Sequence, residues 1–299
     1  MPAHDIPACQ APDRNPRPPS FRPPPGAADT HAHVFGPADR YPYGADRSYT
    51  PPDSPLPEYM ALLNTLGLER GVIVQPSVYG TDNRATLDAL RSEPERLRAV
   101  AVAGADIADE DLGEMHRLGV RGLRFNLLFR GGVGFDSARR LAERIAPLGW
   151  HLQFLLDISE LDGFAGRLAE LPVDSVIDHM GHMPAAKGID HPAFRDLLAL
   201  LREGRTWVKL SGAYRLSGQD RPPYDDVRPM ARALIDARPD RLVWATDWPH
   251  PAVTRPMPND GVLLDLLADW APDAEMRRRI LVENPAALYD FPGGARNRP

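Results

Sequence analysis

The chain has 299 residues, 43% of them hydrophobic and 25% charged, and its formal net charge of −6 excludes the basic face with which proteins bind nucleic acids or anionic membranes. Its mean hydropathy of −0.36 is typical of a globular protein, and no apolar run reaches the roughly 18 residues of a membrane-spanning helix. One cysteine, Cys9, permits no disulfide within the chain, and no secretion leader is recognisable, so we expect a cytoplasmic protein without nucleic-acid or membrane partners.

Residues 1–26 are rich in proline and arginine and contain few side chains that could be buried. Such a segment cannot recover the entropy lost on ordering by joining a core, so it is predicted to form a flexible tail with some polyproline II character. Two alternatives remain open: the segment could lie over the folded domain, or it could serve as a proline-rich ligand for a partner domain. The folded domain is expected to cover residues 27–299.

From residue 27 onward, short β-rich runs alternate with amphipathic helical runs. The predicted strands cover residues 28–34, 71–75, 97–103, 120–126, 150–156, 173–179, 206–211 and 241–247. The predicted helices cover residues 56–66, 82–92, 109–118, 136–146, 159–171, 191–202, 224–237, 261–270 and 273–282. Eight strands that alternate with helices in a chain of this length predict a single-domain (β/α)8 barrel of the α/β class, with catalytic residues at the carboxyl ends of its strands.

A long first loop, residues 36–57, is heavy in tyrosine, proline and arginine and includes Tyr49. Long ordered loops at the mouth of a barrel often form part of the functional site. We therefore expect this loop to cover the mouth of the barrel.

Polar side chains stand at the carboxyl ends of several predicted strands. Because side chains alternate across a strand, His31 and His33 share one face of the first strand. On the sixth strand the same parity groups His179 with Ser175 and Ile177. The residues that this parity directs into the barrel mouth are His31, His33, Arg124, Asn126, His179 and Asp247.

Three motifs surround these residues: Asp29-Thr-His-Ala-His33, Ile177-Asp-His179-Met-Gly181 and Trp244-Ala-Thr-Asp247-Trp-Pro. Further motifs are His33-Val-Phe-Gly-Pro37, Gln75-Pro-Ser-Val-Tyr-Gly-Thr-Asp-Asn83, Arg121-Gly-Leu-Arg-Phe-Asn126 and Leu281-Val-Glu-Asn-Pro285. With these motifs, the chain resembles the amidohydrolase superfamily from about Pro25 to Tyr289. More narrowly, it resembles the amidohydrolase-related 2-pyrone-4,6-dicarboxylate hydrolase branch, which opens carboxylated lactone rings in aromatic catabolism.

The resemblance implies a lactone hydrolase that works without a metal or another cofactor. Asp247 matches the general base that deprotonates water, and the lactone carbonyl is polarised by residues that match His31, His33 and His179. This assignment is chemically sensible, because ester hydrolysis needs an activated water and donors placed where oxyanion charge develops.

The resemblance also implies an anionic substrate, because guanidinium groups pair with carboxylates in a bidentate fork. Leu155 stands where the dicarboxylate hydrolases place a tyrosine, which leaves the exact lactone open. The implied substrate-binding residues are Arg124, Arg130, Arg215, Tyr49, Ser77 and Asn126.

Other functions remain open. The same barrel could be a mononuclear zinc hydrolase or decarboxylase, although no histidine stands near the end of strand five, where zinc-dependent relatives often place a ligand. It could also be a sugar-acid lactonase or isomerase, or a catalytically silent protein that binds an aromatic acid. We expect Asp178 to orient its neighbours, and the sequence does not fix the oligomeric state. If zinc is bound, the expected ligands are His31, His33, His179 and Asp247.

Overall fold

Eight parallel strands follow one another around one sheet in chain order. A computed structural model describes residues 6–128, 137–161 and 163–292 of the chain. The strands are β1 (Ala28–Ala32), β2 (Arg70–Val74), β3 (Leu97–Ala101), β4 (Val120–Asn126), β5 (His151–Leu155), β6 (Ser175–Ile177), β7 (Thr206–Leu210) and β8 (Leu242–Trp244).

Helices follow the strands and cover the outside of the sheet. Outward-facing strand residues such as Ile73, Leu123 and Phe154 belong to the large core that joins the sheet to the helices. The helices are α1 (Leu56–Leu66), α2 (Arg84–Ser92), α3 (Asp109–Leu118), α4 (Ala138–Ile145), α5 (Phe164–Ala169), α6 (Pro192–Glu203), α7 (Ala213–Leu216), α8 (Arg228–Ala237), α9 (Asp260–Trp270), α10 (Ala274–Arg278) and α11 (Asn284–Tyr289). Among the described residues, no helix is both long and apolar enough to cross a membrane.

The first and last strands are joined by the backbone that follows β8. The amide of Asp247 donates to the carbonyl of His31 over 2.9 Å, and the amide of His33 donates to the carbonyl of Trp248 over 2.7 Å. These bonds bring the two ends of the sheet together and confirm the predicted (β/α)8 barrel. They also place Asp247 beside the two histidines of β1.

A second, smaller core lies inside the barrel, where Val72, Val74 and Val243 pack above Tyr289 of α11. Val176 of β6 belongs to this inner core, whereas its neighbour Ile177 belongs to the core under the helices. The predicted inward face of strand six, which held Ser175, Ile177 and His179, was therefore wrong by one residue. The predicted face was based on His179, but the strand ends at Ile177, two residues earlier, so His179 does not follow the alternation of the strand.

The residues after β6 and β8 reach the barrel mouth through turns rather than by continuing the strands. His179 has a φ of 51° and Asp247 a φ of 68°, both in the left-handed region that non-glycine residues rarely adopt. Such backbone conformations cluster at functional sites, where the surrounding structure holds them in place. The turns make the strands shorter than predicted and still deliver both side chains to the mouth.

The described part of the proline-rich segment, residues 6–26, lies against the barrel. The amide of Cys9 donates to the carbonyl of Thr50 over 2.8 Å, which ties the segment to the long first loop. Further along, the hydroxyl of Ser20 donates to the carboxylate of Asp265 on α9 over 2.7 Å. The segment is thus placed over the folded domain, and its flexibility stays a prediction.

Candidate active site

A narrow cavity opens at the carboxyl ends of the strands. His31 lies directly behind this cavity and is completely buried. Most of the residues that were predicted to meet at the barrel mouth line it. The lining residues are His33, Tyr49, Arg124, Asn126, Leu155, His179, His182, Arg215, Asp247 and Pro251.

Three histidines surround one oxygen of Asp247. Its Oδ1 lies 3.8 Å from Nε2 of His31, 3.9 Å from Nε2 of His33 and 3.6 Å from Nε2 of His179. Burial lowers the pKa of His33 to about 3 and that of His179 to about 4, so both rings are neutral at pH 7. The site therefore combines one carboxylate oxygen with neutral imidazoles.

The other oxygen of Asp247 is held by two donors. The Tyr214 hydroxyl donates to Oδ2 over 2.5 Å, and Nε of Arg215 donates to the same atom over 2.7 Å. Burial alone would raise the pKa of this carboxyl, but the adjacent Arg215 guanidinium holds it well below its usual range. Asp247 is thus ionised, with Oδ2 fixed by the protein and Oδ1 left to face the histidines.

Tyr214 connects Asp247 to a second buried pair. Its hydroxyl oxygen lies 2.9 Å from Nδ1 of His250, whose Nε2 lies 3.2 Å from Oδ1 of Asp260. Because the hydroxyl proton goes to Asp247, the oxygen of Tyr214 accepts the Nδ1 proton of His250. A chain of buried side chains therefore runs from α9 to the carboxylate at the barrel mouth.

A buried lysine lies beneath the histidines, on the inward face of β7. Nζ of Lys209 donates to the carbonyl of Thr30 over 2.9 Å and to Oε1 of Gln153 over 2.8 Å. It also lies 3.1 Å from Nδ1 of His31 and 3.3 Å from Oδ1 of Asp178. Burial lowers the pKa of Lys209 to about 8, so the ammonium form still predominates at pH 7.

Asp178 is the buried anion that balances the charges of Lys209 and Arg124. Its Oδ1 lies 3.2 Å from Nδ1 of His31, and its Oδ2 accepts from Nε2 of Gln153 over 3.1 Å. Burial raises its pKa, but Lys209 and Arg124, which lies 3.6 Å away, help to bring it well below the usual range. Asp178 contacts His31, Gln153 and Lys209 and does not line the cavity, and its orienting role stays a prediction.

The predicted substrate-binding arginines are partly engaged with the protein. Nη1 of Arg124 donates to the carbonyl of Gln75 over 3.2 Å, while its buried Nε has no protein partner among the described residues. Arg215 reaches the cavity but also holds Asp247 and donates to the carbonyl of Pro251 over 3.0 Å. Arg130 lies outside the described residues.

The remaining predicted contacts lie around the same cavity. Tyr49, from the long first loop, is almost fully buried beside Ser77, and burial raises the pKa of its hydroxyl to about 12. Asn126 and Leu155 are paired across β4 and β5, and both line the cavity. The loop thus contributes to the mouth as predicted, and one wall of the cavity is apolar at Leu155.

Lys209, Tyr214 and Asp260 belong to the site and were missed from the sequence. A lysine between apolar neighbours in a buried parallel strand, as Lys209 is, was a signal that could have been used, since buried lysines are rare without partners. Tyr214, His250 and Asp260 come from three separate segments, and no local pattern joins them. Their association depends on how α7 and α9 pack at the top of the barrel.

The spacing of the ligand atoms would accommodate one small cation. Nε2 of His31 lies 3.3 Å from Nε2 of His33, and each lies within 4 Å of Oδ1 of Asp247. Zinc binds such atoms at about 2.0–2.2 Å, so atoms this far apart can surround it. The nearby positive charges of Lys209 and Arg215 oppose a divalent cation there. The donor set fits zinc by its spacing, and its electrostatic surroundings reduce the expected affinity.

Comparisons with known proteins agree with this geometry. The amidohydrolase family model matches residues 28–291. The chain is 43% identical over 288 residues to the 4-sulfomuconolactone hydrolase of Hydrogenophaga intermedia, with 95% of each sequence covered. It is 40% identical over 286 residues to the 2-pyrone-4,6-dicarboxylate hydrolase of Comamonas testosteroni, with 92% of this chain and 93% of that protein covered.

The fold is also shared with solved structures. A crystal structure from Agrobacterium tumefaciens superimposes with a TM-score of 0.81 at 31% identity, and the match covers 91% of this chain and 98% of that one. The family match includes every strand of the barrel, Asp247 and the three histidines around its carboxylate. As the sequence motifs predicted, the chain belongs to the amidohydrolase family.

Proposed function

We propose that this protein hydrolyses the ring ester of a small anionic lactone, with Asp247 as the general base. The observation that carries the proposal is the carboxylate oxygen Oδ1, which faces Nε2 of three neutral histidines within 4 Å. The names of two relatives, which act on 4-sulfomuconolactone and 2-pyrone-4,6-dicarboxylate, support a lactone as the substrate class.

In the proposed reaction, a water molecule lies between Asp247 and the histidines. Its oxygen attacks the ring carbonyl carbon while Oδ1 of Asp247 takes one of its protons. The ring carbon–oxygen bond then breaks, and its electron pair stays on the ring oxygen, which takes the proton that Asp247 holds. The product is an open chain that carries a new carboxyl group and a new hydroxyl or enol group.

The histidines have different parts in this scheme. Nδ1 of His33 lies 2.7 Å from the carbonyl of Val74, which can only accept, so the Nε2 of this neutral ring carries no proton. His33 is therefore suited to accept a hydrogen bond from the attacking water and orient it, while the proton itself goes to Asp247. Polarisation of the lactone carbonyl is left to Nε2 of His31 and His179, whereas the sequence expectation gave that part to all three histidines.

The substrate is proposed to be anionic because the cavity is lined by Arg124 and Arg215. Arg124 has a buried Nε without a protein partner in the described part of the chain, and a ligand carboxylate or sulfonate would supply one. Tyr49 and Asn126 add neutral polar groups to the same wall, and the lactone ring would rest against Leu155. A dicarboxylate or sulfonated lactone fits this lining better than an uncharged one.

We propose that the reaction needs no cofactor. If zinc is bound instead, His31, His33, His179 and Asp247 would hold it, and it would supply Lewis-acid activation of water and of the carbonyl. The two forms differ in a simple observable, because turnover would follow zinc content only in the second.

The test is a substrate panel with protein that has been treated with a chelator and assayed for residual metal. We expect loss of ring absorbance with 2-pyrone-4,6-dicarboxylate or 4-sulfomuconolactone and none with unsubstituted 2-pyrone, which lacks an anion. Turnover of unsubstituted 2-pyrone alone would contradict the anionic substrate. Failure of all these lactones, and of uncharged and acidic sugar lactones, would overturn the proposed function.

A further inference from the structure

Lys209 is buried directly behind the candidate catalytic histidines, and the proposed reaction does not use it. We propose that Lys209 fixes His31 in the tautomer that carries its proton on Nε2, so that the barrel mouth presents a hydrogen-bond donor rather than a metal ligand at this position. Its catalytic consequence rests on the proposed function, but the tautomer itself does not.

His33 carries its proton on Nδ1. Its Nδ1 lies 2.7 Å from the carbonyl oxygen of Val74, and a carbonyl has no proton to give. The proton of this contact therefore belongs to Nδ1 of His33. In a neutral imidazole the other nitrogen, Nε2, then carries only a lone pair.

The lone pair on Nε2 of His33 determines which nitrogen of His31 carries the proton. Nε2 of His31 lies 3.3 Å from Nε2 of His33. In the free protein, two lone pairs at this distance would repel each other, whereas a proton on Nε2 of His31 makes the contact a hydrogen bond. When substrate binds, this proton would turn to the lactone carbonyl and leave Nε2 of His33 to the attacking water. His31 is consequently the donor, and its own Nδ1 is left without a proton.

Lys209 is the group that stabilises the unprotonated Nδ1 of His31. Lys209 has three ammonium protons, of which two go to the carbonyl of Thr30 at 2.9 Å and to Oε1 of Gln153 at 2.8 Å. The third can lie between Nδ1 of His31 at 3.1 Å and Oδ1 of Asp178 at 3.3 Å, so that one ammonium proton is shared by both acceptors and offsets their mutual repulsion. All three protons then have acceptors, as expected for a fully buried ammonium group.

Because of Asp178, both neutral tautomers of His31 have a possible hydrogen-bond partner at Nδ1. Its Oδ1 lies 3.2 Å from Nδ1 of His31, so it could accept a proton from that nitrogen if Lys209 were absent. A carboxylate that accepts the second ring proton is the usual support of a histidine that binds metal through its other nitrogen. Lys209 donates a hydrogen bond to the same nitrogen, Nδ1 of His31, and so keeps the ring proton on Nε2, where it opposes metal binding.

The direct test is the tautomer of His31 in the wild-type protein. Long-range nitrogen–proton NMR spectra of protein labelled with nitrogen-15 histidine distinguish the two neutral tautomers, and the His31→Gln and His33→Gln variants assign the signals. We expect opposite tautomers, with the proton on Nε2 in His31 and on Nδ1 in His33. A proton on Nδ1 of His31 would overturn the proposal, whether or not any variant folds.

The second test is the Lys209→Met variant, with Lys187→Met as the matched control because Lys187 forms an exposed ion pair with Glu160. In Lys209→Met we expect the His31 proton to move to Nδ1, and zinc to bind at least about tenfold more tightly by calorimetry. The control should retain the wild-type tautomer and zinc affinity. Unchanged zinc affinity and tautomer in a folded Lys209→Met protein, as judged by circular dichroism, would overturn the proposal.

Activity separates this proposal from the proposed function. If the wild-type protein hydrolyses lactones, the metal-free Lys209→Met variant should lose at least about 100-fold in turnover, because the donor to the carbonyl is lost. If the wild-type protein hydrolyses no lactone and His31 still carries its proton on Nε2, the proposed function fails and the assignment of Lys209 stands. Full lactone turnover by metal-free Lys209→Met would contradict the catalytic consequence.

Discussion

The Tyr214 hydroxyl donates a hydrogen bond to Oδ2 of Asp247 over 2.5 Å and accepts one from Nδ1 of His250 over 2.9 Å. The tyrosine itself lies outside the lining of the cavity, so it acts on the reaction through the carboxylate. Together with Nε of Arg215, it fixes the plane of the carboxyl group and turns Oδ1 toward the histidines. The orientation of the proposed base is thus set in part by a residue, Tyr214, that lies outside the cavity lining.

Replacing Tyr214 with phenylalanine should therefore reduce kcat and leave KM nearly unchanged. A hydrogen bond to a charged group contributes about 1.5–3 kcal/mol, so we expect kcat to fall by about tenfold or more. Steady-state kinetics on the lactone that the wild-type protein hydrolyses measure both constants. Tyr224→Phe is the matched control, because the buried hydroxyl of Tyr224 has no partner among the described residues. Equal kcat values for the two variants would contradict the orienting part of Tyr214.

Arg124 is expected to affect substrate binding more than the chemical step. Its guanidinium lines the cavity, and its Nε has no protein partner within the described ranges of the chain. Arg124→Met should raise KM for an anionic lactone by about tenfold or more, since a charge-assisted hydrogen bond to the substrate is lost. Arg121→Met, on the same strand but paired with Asp290 outside the site, is the control. A KM that changes equally in both variants would show that Arg124 does not contact the anion.

His151 should make the protein less stable in acid. Burial lowers its pKa from 6.5 to about 3, so between these values the unfolded chain binds more protons than the folded protein. The free energy of unfolding should therefore decrease as pH falls below 6.5, by up to about 1.4 kcal/mol per pH unit from this residue. Urea unfolding between pH 6 and 4.5 should show a shallower dependence for His151→Leu than for the wild-type protein. Parallel pH dependences would exclude His151 as a source of acid sensitivity.

Much of the fold and of the candidate site could be predicted from local patterns. Alternation of strands and helices indicates the barrel, and parity on β4 correctly separates Arg124 and Asn126 from Leu123 and Phe125. His31 and His33 are separated by one residue on the first strand, so their shared direction was also predictable.

The rest depends on features that parity cannot represent. Strand six ends early, and His179 reaches the mouth through a left-handed turn, so the predicted inward face of that strand was wrong. The contact of His250 with Asp260 joins a loop to the first turn of α9, and that pairing follows from tertiary packing alone. The direction of Arg215 toward Asp247 has the same origin.

The measurement that tests the central claim most directly is the turnover of Asp247→Asn beside that of the wild-type protein, both treated with chelator and assayed for metal. Asparagine keeps the size of the side chain but cannot take a proton from water. We predict that the wild-type protein opens the lactone ring at full rate with less than stoichiometric metal, and that the variant loses at least about 100-fold in kcat. Retained turnover in Asp247→Asn, or wild-type turnover that rises in proportion to added zinc, would contradict this account.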